Sequence, residues 1–142
     1  MQASGLNLKA KGDLAELKVA TDLMSRGYKV AFPYGEDWDY DLILCRGESL
    51  ERVQVKYTRS DGNVINVRCN SLSLTNGKVK ARKKYTAETV DWIAAYDATS
   101  ERCYYAAAEL LGEGRYMLSL RLTPSRNGQL SGIRLAADYL DI

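Results

Sequence analysis

Four side chains stand where a folded chain does not ordinarily put them. Asp41 opens the apolar run YDLILCR (40–46), Gln54 and Lys56 flank Val55 in RVQVKYT (52–58), and Glu16 falls inside the edge of an apolar helical arc. Polar groups in buried-looking elements cost free energy unless they are paired or bind something. Two carboxylates, an amide oxygen and a lysine in one cleft support a narrow chemistry. Mg2+ prefers hard oxygen ligands, often only one or two carboxylates, with water and substrate phosphate completing its octahedron. Asp41 would be the main ligand, with the Gln54 side-chain oxygen and the Val55 main-chain carbonyl as further ligands. Lys56 could orient or deprotonate a water, or stabilise charge on the phosphorane. The base role needs a pKa lowered by burial, which neighbouring carboxylates oppose, so orientation and electrostatic stabilisation are favoured. The set suits metal-assisted hydrolysis of a phosphodiester. A buried Asp–Lys pair with a hydrogen-bonded Gln would account for any one of these residues; the convergence of all four favours a site.

The elements that must bring them together follow from periodicity. Residues 12–26 read as an amphipathic helix ending before Gly27, with Leu14, Leu17, Ala20, Leu23 and Met24 as its apolar arc. Strand-like runs follow at 28–34, 40–46, 52–58 and 63–69, with a turn at Gly47–Ser49. Side chains alternate along a strand, so Gln54 and Lys56 share one face while Val53, Val55 and Tyr57 share the other. A hairpin-like connection would place Asp41 beside them, and a first helix packed on that same face would add Glu16. Downstream, an Asn-Gly turn at 76–77 precedes a dense basic segment, and TAETV suggests a short helix. DWIAAYD (91–97) and RCYYAAA (102–108) read as a strand pair, AAELLG as a helical turn, residues 115–122 as a strand and 133–140 as a terminal helix. A helix, a run of strands and then mixed elements implies an α/β or α+β fold with a central mixed sheet flanked by helices.

Composition narrows the rest. With 142 residues, 46% hydrophobic and 27% charged, the chain reads as one globular domain, 1–142, with no internal repeat. The absence of histidine removes Ser-His-Asp triads, Cys-His nucleophiles, HNH-type nuclease sites and histidine metal sites together. The three cysteines, Cys45, Cys69 and Cys103, form no CxxC pair, and each reads as a small buried apolar residue. No apolar run reaches the ~20 residues that span a bilayer, and the N-terminus lacks a signal-peptide core, so a cytoplasmic location is expected.

The net charge of +2 conceals an uneven distribution. Residues 46–84 hold ten basic and three acidic groups, net +7, between flanks of −2 and −3. One positive surface for a polyanion is implied. Lys78, Lys80, Arg82, Lys83 and Lys84, with Arg59 and Arg68, are the candidates for phosphate contact, which would make binding steeply salt-dependent. Asn76 reads more simply as a turn residue than as a base contact, and RNGQ (126–129) as a turn. Most of the ten tyrosines fall in strand-like positions and read as core or interface. Glu36, Asp37 and Asp39 read as loop residues that tune the local field, Asp39 sharing Asp41's face.

The order Glu16, then YDLI with Asp41, then Gln54-Val55-Lys56 resembles the PD-(D/E)xK nuclease superfamily. It most resembles the group I intron-associated homing endonucleases, in which the third acidic position is a glutamine. Residues 11–43 look like that family's N-terminal half, and the stretch from Val90 to Tyr139 like its C-terminal half. The resemblance implies a restriction-endonuclease-like core and a Mg2+-dependent endonuclease acting on double-stranded DNA, with Mn2+ able to substitute. It implies that Asp41 and Gln54 bind metal, that Lys56 assists hydrolysis, and that Glu16 binds metal or a metal-bound water. Tyr40 stands where the family often has proline. The glutamine removes one negative charge, which lowers the expected metal affinity and puts a second metal in doubt. A homo-oligomer, dimer or tetramer, is implied by the resemblance alone. A junction resolvase or restriction-type nuclease on the same fold, and a DNA-binding module with a dead site, are the competing expectations.

Overall fold

The computed structural model describes residues 5–75, 78–124, 127 and 132–142. The first element, α1 (Leu8–Ser25), starts four residues before the sequence expectation because the Asn7 side chain accepts a hydrogen bond from the Ala10 amide at 2.8 Å, an N-cap. It stops where Gly27 turns to a φ of 91° and the Tyr28 amide bonds back to the Leu23 carbonyl. The strands are β1 (Lys29–Ala31), β2 (Leu42–Arg46), β3 (Ser49–Thr58), β4 (Val64–Arg68), β5 (Asn70–Thr75), β6 (Lys78–Lys84), β7 (Trp92–Asp97), β8 (Arg102–Ala107) and β9 (Met117–Arg121). Single 3-10 turns occupy Ala108–Leu111 and Ala136–Tyr139. The latter is shorter than the expected terminal helix, and 87–89 form a turn rather than a helix.

Five strands make a mixed sheet in the order β1-β2-β3-β7-β8, with β3 and β7 parallel and every other pair antiparallel. Two separate two-stranded ribbons, β4-β9 and β5-β6, lie outside it. Together with α1 this is the mixed α/β core expected of a restriction-endonuclease-like fold. Among the described residues, no helix is long and apolar enough to cross a membrane.

Each face of the sheet carries its own apolar cluster. On one, Ala15, Val19, Ala20 and Leu23 of α1 pack against Leu42, Leu44, Val53, Val55, Ala94, Tyr96 and Tyr105. On the other, Ile93, Ala95, Tyr104 and Ala106 meet Ile65, Val67, Cys69, Tyr85, Leu118 and Leu120. Both alternation expectations for β3 hold: Val53 and Val55 face α1, and Gln54 and Lys56 face the other cluster.

Two expectations about α1 are corrected. Its buried arc is not the one centred on Leu17 and Met24, which are 60% and 62% exposed. Small and branched residues bring the helix close to the sheet, and the true arc is rotated by about one residue step of 100°. Glu16, in the direction between Leu23 and Ala20, therefore lies within the buried side rather than at its margin. The helix also covers the Val53–Val55 face, opposite to Gln54 and Lys56, because the apolar side of β3 is the one that rewards burial.

Candidate active site

The site forms at an interruption in the sheet. β2 begins at Leu42, opposite Val53, so from Val55 onward β3 has no β2 partner on that edge. Asp41 fills the gap. Its amide donates to the Val53 carbonyl at 2.9 Å, and its Oδ2 accepts from the Val55 amide at 2.9 Å. A carboxylate thus takes the hydrogen bond that a longer β2 would have made. The N–H and C=O of one strand residue project to the same edge, so the Val55 carbonyl faces the opening as well. Glu16 reaches this edge from α1 on one side of the sheet, and Gln54 and Lys56 from the other. The sequence expectation that one face carries all four is replaced by a site wrapped around a strand edge.

Electrostatics show how closely these groups are gathered. Burial, reinforced by the Asp41 and Asp13 charges and opposed by Lys9, pushes the Glu16 carboxyl up to about 7. Burial also holds Asp41 above the usual carboxylate range, against the Val55 amide and the Lys56 ammonium, which pull it down. Lys56 is shifted down: burial outweighs the opposing pull of Asp41. The opposition of the carboxylate is as the sequence reading had it, and burial exceeds it. Lys56 is thus set to release its proton more readily than a surface lysine.

Gln54 is 8% exposed. Its Nε2 donates to the Tyr85 hydroxyl at 2.8 Å, while its Oε1 is buried with no hydrogen-bond partner among the described residues. Such an orphaned acceptor costs about 1–3 kcal/mol. Lys56 Nζ donates to the Asn70 carbonyl at 3.1 Å and lies 5.0 Å from the centroid of the Tyr85 ring. Tyr85 contacts both polar residues of the motif, and sequence reasoning missed it. A tyrosine that closes a strand-like run reads as core, and its hydroxyl partner is 31 residues away.

These groups fit a hard divalent cation. Two carboxylates whose charges repel, a bare amide oxygen and a main-chain carbonyl at an open edge are oxygen donors short of positive charge. Among the described residues, no three His, Cys, Asp or Glu side chains cluster as a metal site would. A metal held here would rely instead on an amide and a backbone oxygen, in keeping with the glutamine at position 54.

The candidate phosphate contacts are dispersed. Lys78 to Lys84 form the second strand of the β5-β6 ribbon, in which a register shift makes Lys80 the extra residue of a bulge. Arg59 and Arg68 are exposed, just beyond β3 and at the end of β4. Lys83 pairs with Asp39, and Lys84 Nζ sits 4.0 Å from the Tyr116 ring centroid. Asp39 is therefore occupied by a basic partner. The side chains of Lys78, Lys80 and Arg82, and Asn76 with its turn, lie outside the described residues; of the 126–129 turn only Asn127 is described. Cys69 and Cys103 are buried as expected, and Cys45 is half-buried.

No curated protein matches the chain. The chain shares its fold with the solved structure of a bacterial homing endonuclease, I-Ssp6803I, with a TM-score of 0.72 and 22% sequence identity over 94% of this chain and 88% of that one. A family model described as PD-(D/E)XK endonuclease matches residues 6–142, nearly the whole length described above. The protein belongs to the PD-(D/E)XK endonuclease family.

Proposed function

We propose that this nuclease is a divalent-metal-dependent endonuclease of double-stranded DNA, a sequence-specific homing enzyme in which residues 1–142 form one catalytic domain. The observation that carries the reading is the Oε1 of Gln54, without a partner among the described residues and buried beside a strand edge that also gathers Asp41, Glu16 and Lys56. Mg2+, with Mn2+ as a substitute, is the cation this oxygen set suits. Asp41, Gln54 Oε1 and the Val55 carbonyl would hold it, with Glu16 contributing a ligand or a bond to one of its waters. When bound, the metal supplies positive charge to the scissile phosphate and polarises its leaving oxygen.

The chain's own residues do the rest. Asp41, anchored by the Val55 amide, fixes its free carboxylate oxygen relative to β3. Lys56, held by Asn70 and the Tyr85 ring, orients water and stabilises charge on the phosphate. The basic stretch from Lys78 to Lys84, with Arg59 and Arg68, contacts the DNA backbone, and specificity comes from elements that those contacts position. Likeness to a homing endonuclease in fold, and the glutamine in the motif, support the homing reading; assembly as a dimer or tetramer is what the family resemblance implies.

The test is cleavage of supercoiled, linear and branched DNA with Mg2+, alongside Lys56→Ala. The expected result is Mg2+-dependent cutting of linear duplex at a defined site, reduced at least ~100-fold in the variant while DNA binding persists. Preference for branched DNA would replace homing with junction resolution. Binding without any cutting would remove the catalytic reading, and cutting unaffected by Lys56→Ala would remove this site.

A further inference from the structure

We infer that Tyr85 is a positioning residue that fixes which end of the Gln54 amide faces the cation. This deepens the proposed function and rests on it. A carboxylate at position 54 would present oxygen whichever way it turned. An amide would not: one end accepts and the other donates, and a flipped amide aims N–H groups at the cation. A glutamine in this role therefore needs an acceptor on its nitrogen side, a need that its acidic counterpart lacks. A hydroxyl donates as well as accepts; with its own proton turned to the Ser71 side chain, its other partner, the Tyr85 hydroxyl accepts from Nε2 at 2.8 Å and leaves Oε1 without a partner among the described residues. The phenol is itself held in place. The Ser71 side chain hydrogen-bonds it, Tyr85 is 4% exposed, and its own amide donates to the Cys69 carbonyl at 3.1 Å. The same ring carries the Lys56 ammonium over its face. One side chain thus sets the direction of two motif residues while touching neither metal nor phosphate.

The inference turns on the asymmetry of the amide, and so does the experiment. Mn2+ binding to the full chain without DNA, read from the free-ion electron paramagnetic resonance signal, is compared for wild type, Gln54→Ala, Tyr85→Phe, Gln54→Glu and Gln54→Glu/Tyr85→Phe. Thermal melting is followed in parallel. Tyr85→Phe keeps the ring and removes only the hydroxyl. Mn2+ affinity is expected to fall about tenfold or more in Tyr85→Phe. In the Gln54→Glu background, whose two carboxylate oxygens are equivalent, the same change is expected to cost less than about twofold. Equal losses in the two backgrounds would overturn the inference, because loss of packing or of folding acts on both alike. Wild-type affinity in Tyr85→Phe together with weak binding by Gln54→Ala would overturn it while leaving the metal site standing. Indifference of Mn2+ binding to Gln54→Ala would remove the metal site itself, and the inference with it.

Discussion

At the scale of single residues, the candidate site carries a cost in stability. Gln54 leaves Oε1 buried without a donor among the described residues. Replacing it by an apolar side chain of similar length removes the orphaned group. Gln54→Met is therefore expected to hold or raise the midpoint of thermal unfolding, by up to about 1 kcal/mol in stability, while abolishing cleavage. A fall of more than ~2 kcal/mol would show that the amide is structural. Asp97 is the opposite case. It is fully buried, yet its carboxylate accepts from the Ser60 amide and hydroxyl, the Ser100 amide and hydroxyl and the Thr99 amide. Burial alone would raise its pKa, but these donors together bring it below the ordinary carboxylate value of 3.8. The unfolded chain then binds the proton more readily, so Asp97 contributes stability above 3.8 that is lost as pH falls through the lower folded-state value. Acid unfolding should be less steep below 3.8 in Asp97→Asn, whose stability at neutral pH should be lower by about 2–4 kcal/mol. Urea titrations across pH measure both.

These residues also mark how much of the site could be read in advance. Asp41, Gln54 and Lys56 were legible because polar groups interrupt apolar strands at fixed parity, and Glu16 because it interrupts an apolar arc. What they do to one another's protons was not. The direction of the Lys56 shift depends on how deeply it is buried, which only the packing of Asn70 and Tyr85 around it decides. Tyr85 carried no mark of its own, since an aromatic residue after a strand reads the same whether its hydroxyl is used or idle.

At the scale of elements, α1 and the β2–β3 hairpin do the positioning. The hairpin was legible from alternation and the Gly47 turn, and its register puts Asp41 beside Val53. The helix was legible in kind but not in orientation, because Leu17 and Met24 are apolar yet lie outside. A wheel weighs hydrophobicity alone, whereas packing on a sheet also selects for small and branched side chains. The contrast is measurable. Leu23→Ala is expected to cost about 3–5 kcal/mol, as truncation of a fully buried leucine does. Leu17→Ala should change stability by no more than ~0.5 kcal/mol at a concentration where the chain is monomeric. Comparable destabilisation of both variants in urea would contradict the packing described.

At the scale of the whole molecule, charge and chemistry meet at the roots of one ribbon. Asn70 begins β5 and holds Lys56; Tyr85 follows β6 and holds Gln54. The strand between carries the densest basic run in the chain. The sequence revealed this charge imbalance, but not that its carrier stands apart from the main sheet, since strand pairing at a distance leaves no local trace. Binding to duplex DNA should weaken with salt, and Lys83→Ala with Lys84→Ala should reduce the logarithmic salt slope by about 0.9 for each phosphate no longer neutralised. Mn2+ affinity should remain unchanged in that double variant. A salt slope that does not move would place the DNA on another surface.

The shortness of β2 has one more consequence. An unfinished sheet margin is a template on which a foreign peptide can extend the array, and proteins commonly guard it with charge. Here the guard is Asp41, whose carboxylate already occupies the Val55 amide that an intruding backbone would seek. The opening at the candidate site is thereby closed to self-association through that amide.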